Sequence, residues 1–308
     1  QYQIKRCSAP CVNHIAQQDY NEDIKEYFQK LTRVGFGAFP PLLMAVLNKE
    51  KSNNKILEIL KSCERFSFLI FQVTKRQSNT KNSHFYRQAR RYYFDEITVD
   101  TLKSDIDWSI DGEDDDDYYG ELDLEKFVIH VTDLYKKNDG FYSWTGIRYF
   151  LYEYELFLKN NASGNIKISW EDYDKRKKEN TIEHIYPQSP KDSCWDNVLD
   201  PYNEKGKKIL LHNLGNLLLL AQSKNSELQN FCFSYKVKHK NKNGNDSGFF
   251  NGSYSEINVS NCSTWTATEI IKRGEEMLAF MEKRWDIDFE EWEIEKEKVL
   301  YISDLKKS

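Results

Sequence analysis

The sequence is poor in several features that would have announced a specialised chain. Its six cysteines (Cys7, Cys11, Cys63, Cys194, Cys232 and Cys262) form no Cys-x-x-Cys pair, and the spacing of Cys7 and Cys11 has no counterpart downstream, which argues against a zinc site. No run approaches the roughly 18 apolar residues needed to cross a bilayer, and no charged start leads into an apolar stretch. A cytoplasmic protein with reduced thiols is the expectation. Glycine and proline are sparse, at 13 and 6 of 308 residues, which excludes low-complexity chain and favours ordered, mainly helical structure. Positive charge is not in excess either. With a formal net charge of −5, contact with a polyanion must come from a local basic surface and a metal ion. The chain opens at Gln1 without a methionine, in residues that look like the interior of a domain, so a fragment of a longer protein is expected.

What is present is mostly helical periodicity. The length allows two domains of ordinary size. From about Asp19 to Phe157 apolar residues recur at three- and four-residue intervals, as in Ile24, Tyr27, Phe28 and Leu31. Pro40 and Pro41 suit the first turn of a helix through Leu47. Further helices are predicted over Ser83 to Phe94, Leu122 to Lys136 and Trp144 to Lys159. The acidic run from Asp111 to Asp117 reads as a solvated loop rather than a metal patch. The basic and aromatic segment with Arg87, Arg90, Arg91, Tyr86 and Tyr93 fits an amphipathic helix as well as it fits a phosphate track.

Asn160 to Asn165 is rich in turn residues, and a boundary there separates a helical domain, 1–164, from a second domain, 165–308. In the second domain Ile166 to Trp170 and Leu217 to Leu220 read as short strands, Gln222 to Asn230 as a helix, and Thr266 to Arg284 as a longer closing helix. Lys238 to Ser253 reads as a flexible basic loop.

Chemistry concentrates in three polar elements set in apolar runs. These are Glu183-His184, Asn216 and Asn225, with 32 residues from His184 to Asn216 and 9 from there to Asn225. Phosphodiester cleavage needs an activated water, a cation to stabilise charge on the phosphate, and neutralisation of the leaving oxygen. A neutral His184 suits the base, and Glu183 and Asn225 are oxygen donors of the kind that Mg²⁺ or Mn²⁺ prefers. Asn216, after Gly215, could tie the loop before a strand to backbone groups and so hold His184. Plainer readings compete: a structural histidine at 184, a turn-capping Asn216, and a rival pair in His212 and Asn213. His239 is expected to be solvent-exposed, and His14, His84 and His130 to be structural.

The order Glu183-His184-Ile185-x-Pro187-Gln188, then Leu214-Gly215-Asn216-Leu217-x-Leu219-Leu220, then Asn225-Ser226-x-Leu228-x-Asn230 with Phe233 and Lys236, resembles the C-terminal HNH domain of GmrSD-type modification-dependent restriction and phage-defence enzymes. Trp265, Thr266, Ile270, Arg273 and Trp285 are similar to that family's final helix. The likeness spans about Ile182 to Trp285. It implies a mainly α chain with a small α+β part, in which a helical connector precedes a ββα-metal nuclease domain. It also implies that His184 is the general base, Glu183 a metal ligand, Asn216 the central and Asn225 the last, metal-facing residue of the HNH triad, and that Lys236 contacts phosphate, with Lys238 and Lys240 nearby as further nucleic-acid contacts. DNA is then the substrate and Mg²⁺ or Mn²⁺ the cofactor. A nucleotide-hydrolysing domain, upstream or on a separate chain, is an implied partner, although its signature is not found here. An RNase using the same site and a catalytically silent protein-binding module are the alternatives.

Overall fold

A computed structural model describes residues 20–113, 120–162, 164–165, 167–170, 180–303 and 305. The acidic residues Asp114 to Asp117, together with Cys7, Cys11 and His14, lie outside them. The fold is mostly helical, with one two-stranded sheet among the described residues. No described helix is long and apolar enough to cross a membrane.

The chain divides into two compact units, Gln1–Phe127 and Val128–Ser308. In the first, helix α1 (Glu22–Val34) starts where the Asn21 side chain accepts from the Ile24 amide at 3.0 Å, and it buries Ile24, Phe28 and Leu31. It stops at Gly35, whose φ of 104° a side chain would resist. Helix α2 (Pro40–Lys49) carries Pro40 and Pro41 in its first turn, where the missing amide donors are not needed. Helix α3 (Asn53–Phe66) runs into a π-helical stretch, Ser67–Val73, and α4 (Asn82–Tyr93) and α5 (Val99–Asp111) follow. Phe39, Phe66 and Phe85 meet at ring separations of 4.7 to 5.3 Å and anchor this core. His84 has an acidic neighbour that no local motif marks, with Nε2 at 2.7 Å from Asp105.

Helix α6 (Leu124–Lys136) leads into the second unit, where α7 (Ile147–Asn161), β1 (Asn180–His184), α8 (Glu204–Leu211), β2 (Leu217–Ala221), α9 (Gln222–Leu228), α10 (Phe233–Lys238), α11 (Tyr254–Ser260) and α12 (Ala267–Trp285) follow. Strands β1 and β2 pair antiparallel with Glu183 opposite Leu218 and His184 opposite Leu217. Leu217 to Leu220 are all buried, which explains the unbroken apolar run: both faces of this strand are covered. Helix α9 follows β2 directly and packs on both strands. The surrounding core includes Ile185, Trp195, Phe233, Phe249, Trp265 and Ile270.

Two expectations need correction here. Residues 167–170 form bends and a short turn rather than a strand. The division between units falls at Phe127/Val128, not at 164/165, because α7 belongs with the second unit. Both carboxylate oxygens of Glu155 accept the Tyr254 and Ser255 amides at 2.8 and 2.6 Å, capping α11, and Glu153 accepts from the Arg284 guanidinium at 3.0 and 3.1 Å. The turn-rich residues at 160–165 therefore mark the end of a helix, not of a domain.

Closing helix α12 begins with a capping box between Thr266 and Glu269. Its buried Arg273 donates to the Gly215 and Leu217 carbonyls at 2.7 and 2.8 Å, fixing the entry to β2. A side chain at Gly215 would put its Cβ 1.9 Å from the Ile270 carbonyl oxygen, so glycine is what allows this loop to lie on the helix.

Candidate active site

Consecutive side chains of a strand project to opposite sides, and at the end of β1 this separates two groups of partners. Glu183 is 8 % exposed and meets Lys236 and Asn225. The Lys236 ammonium donates to Glu183 Oε1 at 2.6 Å and to the Ile185 carbonyl at 3.2 Å. Asn225, in the first turn of α9, hydrogen-bonds the same carboxylate. Burial pushes the Glu183 carboxyl up, against the opposing pull of Lys236 and Asn225. It also pushes the Lys236 ammonium down, against the opposing pull of Glu183.

Lys236 was expected at a substrate phosphate, and the structure corrects this. It is fully buried, because α10 turns it inward beside Phe233 while leaving Lys238 exposed. Lys240 is exposed as well and faces Asp246 at 3.8 Å. His239, expected in solvent, is 9 % exposed, with its ring 4.9 Å from Tyr235 and Nε2 3.5 Å from Glu227.

His184 has a separate set of partners. Its Nε2 lies 3.1 Å from His212 Nδ1, its Nδ1 lies 3.1 Å from the Gln188 amide, and the Tyr142 ring sits 4.6 Å away. The ring is 4 % exposed. Burial first, then His212 and Lys236, lower its pKa to about 3, so it is a neutral imidazole at neutral pH. Burial lowers the His212 pKa too, with Asp139 opposing the shift and Lys208 adding to it.

Asn216 is fully buried and uses its whole amide. Its Oδ1 accepts from the Tyr186 amide at 2.8 Å and the Trp265 indole at 3.0 Å, and its Nδ2 donates to the Tyr186 and Leu211 carbonyls at 3.0 and 2.8 Å. It cross-links the segment just after His184, the end of α8 and the approach to α12. Four bonds to four fixed groups leave it no capacity to meet a substrate.

Sequence reasoning weighed His212 as a rival of Asn216, whereas the structure makes it the partner of His184. Its place in the Leu-His-Asn-Leu-Gly-Asn run was the only local signal. Tyr142 gave none, since it arrives from the connection between α6 and α7. Cys194 and Cys232 form a disulfide across 38 residues, which corrects the expectation of reduced thiols throughout. Asp192 lies beside this pair, and the three could group around a metal ion, but sulfurs joined to each other supply no thiolate.

The donors for a hard cation are the Glu183 carboxylate and the Asn225 amide oxygen, the amide nitrogen of Asn225 being the group that donates to Glu183. Lys236 at 2.6 Å already neutralises Glu183, so a divalent ion there would share that carboxylate with a buried ammonium. The oxygen donors present fit a hard cation that takes its remaining ligands from water and phosphate.

Residues 130–280 match the family described as GmrSD restriction endonucleases, C-terminal domain. The match begins two residues after the start of the second unit and contains every site residue named above. A curated relative, the UvrABC system protein C of Neisseria meningitidis serogroup B (strain ATCC BAA-335 / MC58), is 60 % identical over 25 residues, which is 8 % of this chain and 4 % of that protein. The chain thus spans a small fraction of that relative's length, and the likeness carries no argument about activity. No solved structure matches the chain. Through its second unit, the chain belongs to the family of GmrSD restriction endonuclease C-terminal domains.

Proposed function

We propose that the second unit is a metal-dependent endonuclease of the HNH type that hydrolyses DNA phosphodiester bonds, in restriction or phage defence. The observation that carries this reading is the joint placement of Glu183-His184 at the end of β1 and of Asn225, in contact with Glu183, on the helix that directly follows β2. Two antiparallel strands and a helix thereby bring an acid, a neutral imidazole and an amide to one end of a small sheet.

In this reading Glu183 and Asn225 hold Mg²⁺ or Mn²⁺, which when bound stabilises negative charge on the phosphate and on the leaving oxygen. His184 accepts the proton of the attacking water, a role that requires the neutral form in which burial keeps it. Asn216 acts by position, pinning the backbone of Tyr186 and so the end of β1. Lys236 balances the Glu183 carboxylate, and the exposed Lys238 and Lys240 supply contacts to phosphate outside the scissile bond.

The test is a Mn²⁺ titration of supercoiled-plasmid nicking, with an RNA substrate in parallel. Glu183→Gln raises the metal concentration needed, because a neutral ligand of the same size loses Coulomb attraction, and Asn225→Ala does so more mildly. Unchanged metal dependence in both variants would place the cation elsewhere. Cleavage of RNA but not of plasmid would reassign the substrate.

A further inference from the structure

Helix α8 carries Lys205 and Lys208 three residues apart, and His212 follows four residues later, so the three fall on one face of the helix. Lys205 and Lys208 line a cavity of about 370 Å³, together with Lys136 from the end of α6 and with Tyr135 and Tyr301. That volume is at the small end of the roughly 300–1,000 Å³ usual for ligand clefts. All three lysines are exposed, and Glu204, an acid in the same lining, is ion-paired with Lys207 at 3.4 Å. The cavity is therefore a basic spot in a chain whose formal net charge is −5.

Its aromatic wall is held with some force. The Tyr135 and Tyr301 rings stack at 4.8 Å and 12°, and the Lys205 ammonium lies 5.7 Å from the Tyr301 ring. The Tyr135 hydroxyl donates to the His212 carbonyl at 3.3 Å, which ties this wall to the segment that meets His184. Tyr301 has a φ of 56°, a left-handed conformation that bulky side chains avoid. The Asn213 amide helps to fix it, donating to the Leu300 carbonyl at 3.2 Å. Backbone strain of this kind persists where the surroundings impose it, and it clusters at ligand clamps.

We propose that the cleft walled by Tyr135 and Tyr301 and bordered by Lys136, Lys205 and Lys208 binds a sugar-phosphate unit of the nucleic-acid strand beside the bond to be cut. The position of the strand rests on the nuclease reading, and the cleft adds how that strand is gripped. At 1.5 Å per residue, Lys208 and Lys205 stand about 6 and 10 Å along the helix axis from His212. Successive nucleotides advance about 3.4 Å, so the two lysines match phosphates roughly two and three nucleotides away. Ammonium groups on flexible stems meet phosphate oxygens as point charges, and the tyrosine wall packs against the sugar. Such a contact positions the strand without reading its bases.

The test is fluorescence anisotropy of a short labelled DNA duplex in EDTA, across a series of KCl concentrations, with plasmid nicking in Mn²⁺ measured on the same proteins. Each lysine lost from a phosphate lowers the slope of log affinity against log salt by about 0.9, so the double variant Lys205→Gln with Lys208→Gln should lose about 2. Lys272→Gln, on α12 and 3.9 Å from Glu276, should leave the slope unchanged. Tyr301→Asn removes the ring with a residue that tolerates the same φ, and should weaken binding severalfold at an unchanged slope. Circular dichroism melts verify folding, and the lysine pair, being exposed, decides the matter if the tyrosine variant unfolds. An unchanged slope in the double lysine variant, or an equal change in Lys272→Gln, would overturn the cleft while plasmid nicking leaves the nuclease reading intact. Wild-type affinity in a folded Tyr301→Asn would overturn it as well. The expected slopes from a protein that nicks no plasmid would keep the cleft as a nucleic-acid site and sink the nuclease reading instead.

Discussion

Replacing Lys236 by Met keeps the aliphatic stem and deletes the charge that faces Glu183 at 2.6 Å. Breaking a buried ion pair by removing one partner costs roughly 3–5 kcal/mol, because the other charge is left without compensation. Glu183 has one escape, which is to take up a proton. At about pH 7 that costs roughly 1.36 kcal/mol for each of the 2.7 or so units separating the pH from an ordinary glutamate pKa, about 3.7 kcal/mol in all. Protonation therefore caps the loss, and the destabilisation at pH 7 should be about 3–4 kcal/mol. The cap falls to about 1 kcal/mol near pH 5.

The sign follows from burial, which already raises the Glu183 pKa and does so further without Lys236. The folded variant then binds more protons than the unfolded chain, so its stability falls as pH rises. Urea unfolding in EDTA at both pH values, with unchanged slope against denaturant, measures this directly. The double variant Lys236→Met with Glu183→Gln should recover much of the loss, since neither charge then remains buried. A loss below about 1 kcal/mol at pH 7, or a loss that does not shrink toward pH 5, would refute the account of this pair.

Asn216→Ala strands two buried donors and two carbonyls, each worth about 1–3 kcal/mol, so the melting temperature should fall sharply and cleavage should fall with it. Retention of wild-type stability would show that water replaces the amide. Arg273→Met deprives the Gly215 and Leu217 carbonyls of their donor and should cost about 2–4 kcal/mol by urea unfolding, with faster amide exchange at the start of β2. Reduction of Cys194–Cys232, or the double Ser variant, should cost about 4 kcal/mol on the loop-closure estimate for 38 residues. An unchanged melt in dithiothreitol would count against a stabilising bridge.

How far the sequence was legible depended on whether a feature was local. Helix α2 was readable because Pro40 and Pro41 can stand only where amide donors are spare, and α12 because Thr266 and Glu269 flag its start. The Leu217 to Leu220 strand showed as an apolar run following Gly215 and Asn216. The extended reading misled at 167–170, where no neighbouring strand pairs with the segment among the described residues. The domain boundary was misplaced because nothing local shows that Glu153 and Glu155 reach partners 131 and 99 residues downstream.

The site shows the same limit. Glu183, Asn225 and Lys236 were singled out, yet the inward turn of Lys236 depends on the helical phase of α10 against the sheet, which spacing from Phe233 does not state. His212 reached His184 through the chain reversal that brings the end of α8 beside β1, and Tyr142 through a connection 42 residues before His184. The disulfide joins cysteines with no recognisable spacing, so only proximity in the folded chain reveals it.

The most direct test of the central claim is cleavage of supercoiled plasmid by the purified chain in Mn²⁺ and in EDTA, beside His184→Ala. The account predicts nicking by the wild type in Mn²⁺, none in EDTA, and a rate lower by about 10²–10⁴ in the variant with folding unchanged. Equal cleavage by the wild type and His184→Ala, or cleavage undiminished by EDTA, would contradict it.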